Sequence, residues 1–145
     1  MTERIILSIV SIIMLALTIK KGDKQSIILT IGLTIGILIT WTRVSLVITI
    51  GLVTYMLMTL MIVINSLRAK ELSRLNQVTI ILSGVWALGA NLFSVLHWPY
   101  DGEIRFSMII PIIFYIISLL YGMTKKKELG YLTIMNVEFA LRLFR

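Results

Sequence analysis

Residues Ala90 to Arg105 read A-N-L-F-S-V-L-H-W-P-Y-D-G-E-I-R, and this stretch separates two long apolar segments of the sequence. It contains the only histidine, one of the two prolines and two of the seven acidic residues of the chain. A short polar segment in such a position is typical of a loop between two membrane-spanning helices. We therefore interpret the rest of the chain as a series of membrane helices.

The overall composition supports this interpretation. Of the 145 residues, 58% are apolar and only 14% are charged. Soluble domains average about 45–50% apolar and about 25% charged residues. A soluble bundle of buried helices would need a surrounding polar layer that this composition does not supply. The sequence predicts an all-α, polytopic integral membrane protein.

Five apolar segments approach or exceed the length needed to cross a bilayer. They cover residues 5–19, 26–42, 44–67, 78–96 and 106–123. Arg43 interrupts what would otherwise be one helix from Ser26 to Leu67, about 60 Å long. A tight hairpin at residues 41–45 would keep this arginine out of the bilayer centre. We predict that residues 1–124 form one transmembrane domain.

The tail, residues 125–145, has a different pattern. It begins with three lysines, and on a helical wheel its later charged residues gather on one side of an otherwise apolar helix. Glu138 precedes Arg142 by four residues, the favourable order for an ion pair on one helix face. The pattern predicts an amphipathic helix that lies on the membrane surface or docks on a partner protein. The predicted contacts are Lys125, Lys126, Lys127, Arg142 and Arg145.

The distribution of basic residues predicts the orientation in the membrane. With five spans, the side of the N-terminus holds Arg4, Arg43 and Arg105, whereas eleven basic residues fall on the other side. Since basic residues concentrate in cytoplasmic loops, we predict an inner (plasma) membrane protein with its N-terminus outside and its tail in the cytoplasm. The position of the basic residues beside the spans favours contact with the lipid bilayer over binding of nucleic acid.

Two features within the spans predict helix packing. Gly32 and Gly36 form a G-x-x-x-G pair, which lets a second helix approach closely, either within this chain or in another copy of it. Asn91 is the most polar residue well inside a span, and an intramembrane amide marks a helix contact more often than a conduction path. We expect these three residues at contacts between helices.

The predicted outer loop contains the few candidates for chemistry. His97, Asp101 and Glu103 are suitable as metal ligands or as a proton site. Without a second histidine the motif is weak, and we favour an interpretation in which His97 and Trp98 anchor the helix end while Pro99 turns the chain. The chain has no cysteine, no phosphate-binding glycine loop and no serine–histidine–acid set at workable spacing. We predict no catalytic residue, metal or cofactor.

The segment Phe93-Ser94-Val95-Leu96-His97-Trp98-Pro99 resembles part of the N-terminal membrane hairpin of GldL, the gliding-motility and type 9 secretion motor protein of Bacteroidota. The resemblance covers the stretch from Asn76 to Met123. It implies an inner-membrane hairpin with Phe93, His97, Trp98 and Pro99 at its periplasmic end. Ser94 stands where the family has lysine, and the second helix lacks the family's glutamate. The resemblance therefore implies a shared hairpin rather than a proton-driven motor.

These features favour a non-enzymatic subunit or assembly factor of an inner-membrane complex, with other subunits or further copies of the chain as partners. One alternative is a small transporter or channel component, in which Asn91, Ser94 and the threonines line a path. Another is a membrane enzyme that acts on lipid at the outer face through His97, Asp101 and Glu103. No charged residue lies deep within the first, fourth or fifth predicted span, which argues against a pump or an ion-coupled transporter.

Overall fold

The computed structural model describes residues 2–42, 44–69, 72–96, 103 and 106–144, and their regular secondary structure is entirely helical. The elements are α1 (Thr2–Lys21), α2 (Lys24–Ile39), α3 (Ser45–Arg68), α4 (Arg74–Leu96), α5 (Ile109–Leu120), a 3-10 turn (Met123–Lys125) and α6 (Leu129–Leu143). The prediction of an all-α fold is confirmed. The chain turns between Ile39 and Ser45, the region in which a tight hairpin was predicted, although Arg43 itself lies outside the described residues.

In α1 the side chains are arranged with small polar groups inside and large aliphatic groups outside. In α1 the buried residues are Ser8, Ser11 and Thr18. Ile12 and Ile19, on the outer face, are 52% and 57% exposed. Helices in lipid pack through small residues, because burial of large aliphatic groups brings no gain over contact with lipid tails. The arrangement fits an apolar surrounding.

In the part of the chain that the structure describes, three helices are long and apolar enough to cross a membrane. They comprise α1, α3 and the part of α4 from Arg74 to Phe93. The helices α2 and α5 are also apolar, but they are shorter, with 16 and 12 residues. Lengths and composition together indicate a membrane protein.

A close contact between α2 and α3 lies at three glycines, Gly32, Gly36 and Gly51. A Cβ atom placed on Gly36 would lie 3.0 Å from the carbonyl oxygen of Gly51 and 3.1 Å from the Cβ of Tyr55. At Gly32, an added Cβ would collide with the side chain of Met58. Side chains larger than hydrogen at these positions would push the two helices apart.

Hydroxyl and amide groups connect neighbouring helices. The hydroxyls of Thr79 on α4 and Ser118 on α5 lie 2.7 Å apart. Asn136 on α6 donates from Nδ2 to the Ser83 hydroxyl on α4, at 3.1 Å. In an apolar surrounding such groups have no water to bond to, so hydrogen bonds between helices satisfy them.

The C-terminal segment departs most from the prediction. Instead of lying on a surface, α6 packs in the interior of the bundle against α1, α2, α4 and α5. Leu132, Ile134, Met135 and Phe139 are completely buried. The helical wheel had assigned the charged face of this helix to water, but other parts of the chain cover that face. The boundary at residue 124 stays a prediction, and α6 contacts four helices that precede it in the chain.

The direction of α6 brings the two ends of the described chain together. At its start, Lys127 lies beside Asp23 in the α1–α2 connection. At its end, Arg142 lines the same cavity as Glu3 and Arg4 of α1. We call the end of the bundle that contains Glu3, Arg4, Thr40 and Arg142 the terminal end. The opposite end, formed by the α1–α2, α3–α4 and α5–α6 connections, is the basic end.

Candidate functional site

An ion pair on α6, with Glu138 buried and Arg142 partly exposed, is the centre of the candidate site. Nη2 of Arg142 lies 2.7 Å from Oε1 of Glu138, one helical turn earlier. The same nitrogen donates to Oδ1 of Asn91 at 2.7 Å, and Nη1 donates to the carbonyl oxygen of Ala90 at 3.3 Å. Both acceptors lie on α4, so the guanidinium group connects two helices through charge-assisted hydrogen bonds.

The ion pair lies beside a cavity of about 300 Å³ that extends inward from the terminal end. Glu3, Arg4 and Thr40 line it near the helix ends, and Tyr55, Asn91 and Glu138 line its inner part. Tyr55 is ten residues beyond Ser45, so it lies about 15 Å along the axis of α3. Apolar side chains complete the wall, namely those of Leu7, Ile37, Ile48, Leu52, Met108 and Leu141.

Two oxygens at the inner part of the cavity have no hydrogen-bond partner among the described residues. They are the Tyr55 hydroxyl and Oε2 of Glu138, and both are buried. The two groups face each other, one on α3 and the other on α6, and they are close enough for a weak hydrogen bond, although the geometry is not that of a regular one. A buried polar atom without a partner costs free energy, so native proteins rarely retain one without a bound water, ion or ligand. This part of the cavity offers a carboxylate acceptor and a phenolic donor or acceptor to such a group.

The rim of the cavity is tied together by two hydrogen bonds between α1 and the end of α2. Nη1 of Arg4 donates to the carbonyl oxygen of Thr40 at 3.1 Å, and Nε1 of Trp41 donates to the Ser8 hydroxyl at 2.8 Å. A helix C-terminus leaves carbonyl groups without partners within the helix, and a basic side chain there also complements the helix dipole.

The predicted site residues are distributed over both ends of the bundle. Asn91 is buried at a contact between α4 and α6, and Gly36 lies both at the α2–α3 contact and on the cavity wall. Arg142, predicted as a surface or partner contact, is partly buried and forms the ion pair with Glu138. Glu103 is exposed and Phe93 is half-buried. Exposed at the basic end are Lys125, Lys126 and Lys127. Outside the described residues lie His97, Trp98, Pro99, Asp101 and Arg145.

Tyr55 and Glu138 were not predicted as site residues. The spacing of Glu138 and Arg142 was visible in the sequence, but it was attributed to a helix on the membrane surface. Tyr55 lies in the middle of an apolar segment. A buried tyrosine hydroxyl usually needs a hydrogen-bond partner, so this position could have predicted a polar contact inside the bundle. Its proximity to Glu138 depends on the packing of α3 against the rest of the bundle.

Within the part of the chain that the structure describes, no three histidine or acidic side chains come close enough together to hold a metal ion. No protein-family model matches this chain, and no curated protein or solved structure matches it. The assignment of a function therefore depends on the geometry of the site.

Proposed function

We propose that this chain is a small inner-membrane transporter or channel component that binds a small solute in the cavity at the terminal end. The observation that carries the proposal is the partly buried Glu138–Arg142 pair beside a cavity in which the Tyr55 hydroxyl and a Glu138 oxygen make no regular hydrogen bond among the described residues. A transporter or channel component was one of the alternatives from the sequence. The prediction of five spans placed no charged residue deep within the first, fourth or fifth span, whereas α6 brings Glu138 and Arg142 into the bundle.

The energetic cost of the ion pair supports a functional role. Removing two charges from water costs several kcal/mol per ion, and an apolar pair of similar volume is often at least as stabilising. Ionisable groups inside membrane bundles are rare, and they usually mark pathways for ions, protons or solutes. A position beside a cavity that extends from the helix ends fits such a pathway better than a purely structural contact.

The lining predicts the class of solute. The carboxylate oxygen of Glu138 accepts hydrogen bonds, so an ammonium or hydroxyl group suits the inner part of the cavity. The aliphatic walls suit an apolar body next to that group. A volume of about 300 Å³ accommodates only a small molecule. The expected solute is a small amine or alcohol with an apolar body.

The proposal includes a revised topology in which all six helices cross the membrane. Of the basic residues that the structure describes, the basic end then holds Lys20, Lys21, Lys24, Arg68, Arg74, Lys125, Lys126 and Lys127, against Arg4 and Arg142 at the terminal end. This distribution still favours the basic end in the cytoplasm. Both termini are then outside, and the cavity is accessible from the outer face.

A binding experiment with three matched probes tests the proposed solute class. Phenethylamine, 2-phenylethanol and 3-phenylpropionate share an apolar body and differ in the polar group. Titration calorimetry on the purified protein in detergent micelles should detect the amine and the alcohol but not the carboxylate. Tyr55→Phe and Glu138→Gln should each weaken amine binding about tenfold or more, since hydrogen bonds to charged groups contribute about 1.5–3 kcal/mol. Glu103→Gln, an exposed glutamate outside the cavity lining, is the matched control and should bind normally.

Uptake into proteoliposomes tests transport. The initial rate of phenethylamine uptake should exceed that of protein-free liposomes, and Tyr55→Phe should abolish the excess while Glu103→Gln leaves it unchanged. Equal rates with and without protein would contradict the proposal. A pull-down with the tagged protein separates the remaining hypotheses. Equal uptake rates together with stoichiometric recovery of another membrane protein would favour the subunit or assembly-factor hypothesis over transport.

A further inference from the structure

A second cavity, of about 760 Å³, lies at the basic end. All three connections at this end contribute to its lining, with Lys21 and Asp23 from the first, Arg68 from the second and Lys125 and Lys126 from the third. It is separate from the solute cavity, because the two have no lining residue in common.

The charges of this cavity favour an anion. Its lining contains five basic side chains and two acidic ones. Of the acids, Asp23 is already paired, since Nζ of Lys127 lies 2.8 Å from its Oδ2. The hydrogen bond from Lys127, with a further bond from the Ser26 amide, lowers the pKa of Asp23 to about 2. Glu128, the other acid, is buried at the start of α6, and its burial raises its pKa.

Two uncharged donors on α3 are also available at this cavity. Nδ2 of Asn65 and the hydroxyl of Ser66 are buried and have no hydrogen-bond partner in the described part of the chain. Both residues line the cavity. Amide and hydroxyl donors beside lysine and arginine are a common combination in sites that hold a phosphate group. Leu29 and Leu72 in the lining add an apolar wall next to these donors.

We propose that the basic-end cavity binds a phosphate group. The chemistry suits either the headgroup of an anionic phospholipid or a free phosphate in solution. A lipid source fits the leucine wall and the expected cytoplasmic position, where anionic lipids are abundant. This inference goes beyond the proposed transport function and does not depend on the solute cavity.

The test compares two double variants that remove the same charge from the same end of the bundle. Lys125→Gln/Lys126→Gln removes two lysines that line the cavity, and Lys20→Gln/Lys24→Gln removes two exposed lysines that do not. Protein in detergent micelles is titrated with phosphatidylglycerol, with phosphatidylcholine or with inorganic phosphate. Binding is followed by the thermal midpoint of unfolding, measured from tryptophan fluorescence. All four lysines are exposed, so the midpoints without ligand should remain those of wild type.

For wild type, phosphatidylglycerol should raise the midpoint more than phosphatidylcholine does. Each basic residue near a membrane surface contributes about 1 kcal/mol to attraction of anionic lipid, so loss of two should raise the phosphatidylglycerol concentration for half the effect about thirtyfold in Lys125→Gln/Lys126→Gln. In Lys20→Gln/Lys24→Gln the same concentration should change less than about twofold, because salt screens exposed charges that lie outside the cavity. Stabilisation by inorganic phosphate with the same dependence on the variants would assign the site to free phosphate. Equal weakening in both variants, or no stabilisation of wild type by either anion, would overturn the proposal.

Discussion

Glu138 and Arg142 lie one turn apart on α6, with Oε1 and Nη2 2.7 Å from each other, and four helices surround the helix that carries them. Arg142 also holds Asn91 of α4, so the pair connects two helices as well as lining the cavity. Removal of Arg142 would leave the buried Glu138 carboxylate without its counter-ion, and removal of Glu138 would leave a partly buried guanidinium group without one. The pair should therefore affect both stability and solute binding, and a combination of variants can separate the two effects.

Loss of one partner of the pair should destabilise the bundle strongly. Arg142→Met leaves the Glu138 carboxylate unpaired and should cost about 3–5 kcal/mol in the free energy of unfolding. The double variant Glu138→Gln/Arg142→Met should cost less than the sum of the two single variants, because no buried charge remains. Denaturant unfolding in micelles measures these values, and Arg74→Met, at the first residue of α4 and exposed, is the control. Additive effects would show that the two groups do not interact.

The Tyr55 hydroxyl should contribute to solute binding without contributing to stability. It makes no hydrogen bond of regular geometry among the described residues, so Tyr55→Phe removes a buried polar atom that only the nearby Glu138 carboxylate compensates weakly. We expect the free energy of unfolding to stay within about 0.5 kcal/mol of wild type or to rise by about 1 kcal/mol. A loss of more than about 1 kcal/mol would show that the hydroxyl has a structural partner. The measurement is denaturant unfolding in micelles without added solute.

Two glycines in helix interiors should respond in opposite ways to the same substitution. In Gly36→Ala the new methyl group meets the backbone of α3, with 3.0 Å to the Gly51 oxygen, and overpacking of this kind typically costs about 1–3 kcal/mol. A methyl group added at Gly89 on α4 would have no neighbouring atom within 4 Å, so Gly89→Ala should be neutral or stabilise by up to about 1 kcal/mol. Thermal unfolding of both variants measures the difference. Equal effects would contradict the close α2–α3 contact.

The Asp23–Lys127 pair should give a small dependence of stability on pH in acid. The pKa of Asp23 is lowered from 3.8 to about 2, chiefly by the hydrogen bond from Lys127. Because the folded-state pKa is the lower one, this stabilisation is complete above about pH 4 and is lost as the pH falls towards 2. Both side chains are more than 40% exposed, so the effect should stay below about 1 kcal/mol.

Asp23→Asn isolates this contribution, because asparagine can still accept the hydrogen bond from the Ser26 amide that Asp23 accepts at the start of α2. The pH dependence of unfolding between pH 2 and 5 should be flatter in this variant than in wild type. An unchanged pH profile would show that Asp23 and Lys127 are not paired in solution.

Much of the fold was predictable from composition and local pattern. Long apolar segments predict membrane helices, because the distance between charged residues can be read along the sequence without knowledge of distant contacts. The inner face of α1 was also visible in principle, since Ser8, Ser11 and Thr18 recur at helical spacing among isoleucines and leucines. Small polar residues tend to face the interior of membrane bundles, so their spacing can predict the buried face of a helix. Large apolar residues cannot, because they also occur on the face in contact with lipid.

The position of α6 and the composition of the site could not be predicted in the same way. A helical wheel of α6 shows charged residues on one side, but it does not show whether water or another helix covers them. The partners of Arg142 on α4 are Asn91 and the carbonyl group of Ala90, more than 50 residues away in sequence. The cavity depends on such distant contacts. A reader who knows only the spacing of Glu138 and Arg142 could place them equally well on a helix at the membrane surface.

The topology of α6 can be measured directly, because the chain contains no cysteine and single cysteines can be introduced without background. Thr2→Cys, Thr124→Cys and Phe144→Cys place a thiol at three exposed positions, one at the start of α1 and one on either side of α6. Intact cells are treated with a membrane-impermeant maleimide before or after permeabilisation. If α6 crosses the membrane with both termini outside, Cys at positions 2 and 144 will be labelled in intact cells, and Cys at position 124 only after permeabilisation. Labelling of positions 124 and 144 from the same side would contradict a membrane-spanning α6, and with it the proposed solute pathway.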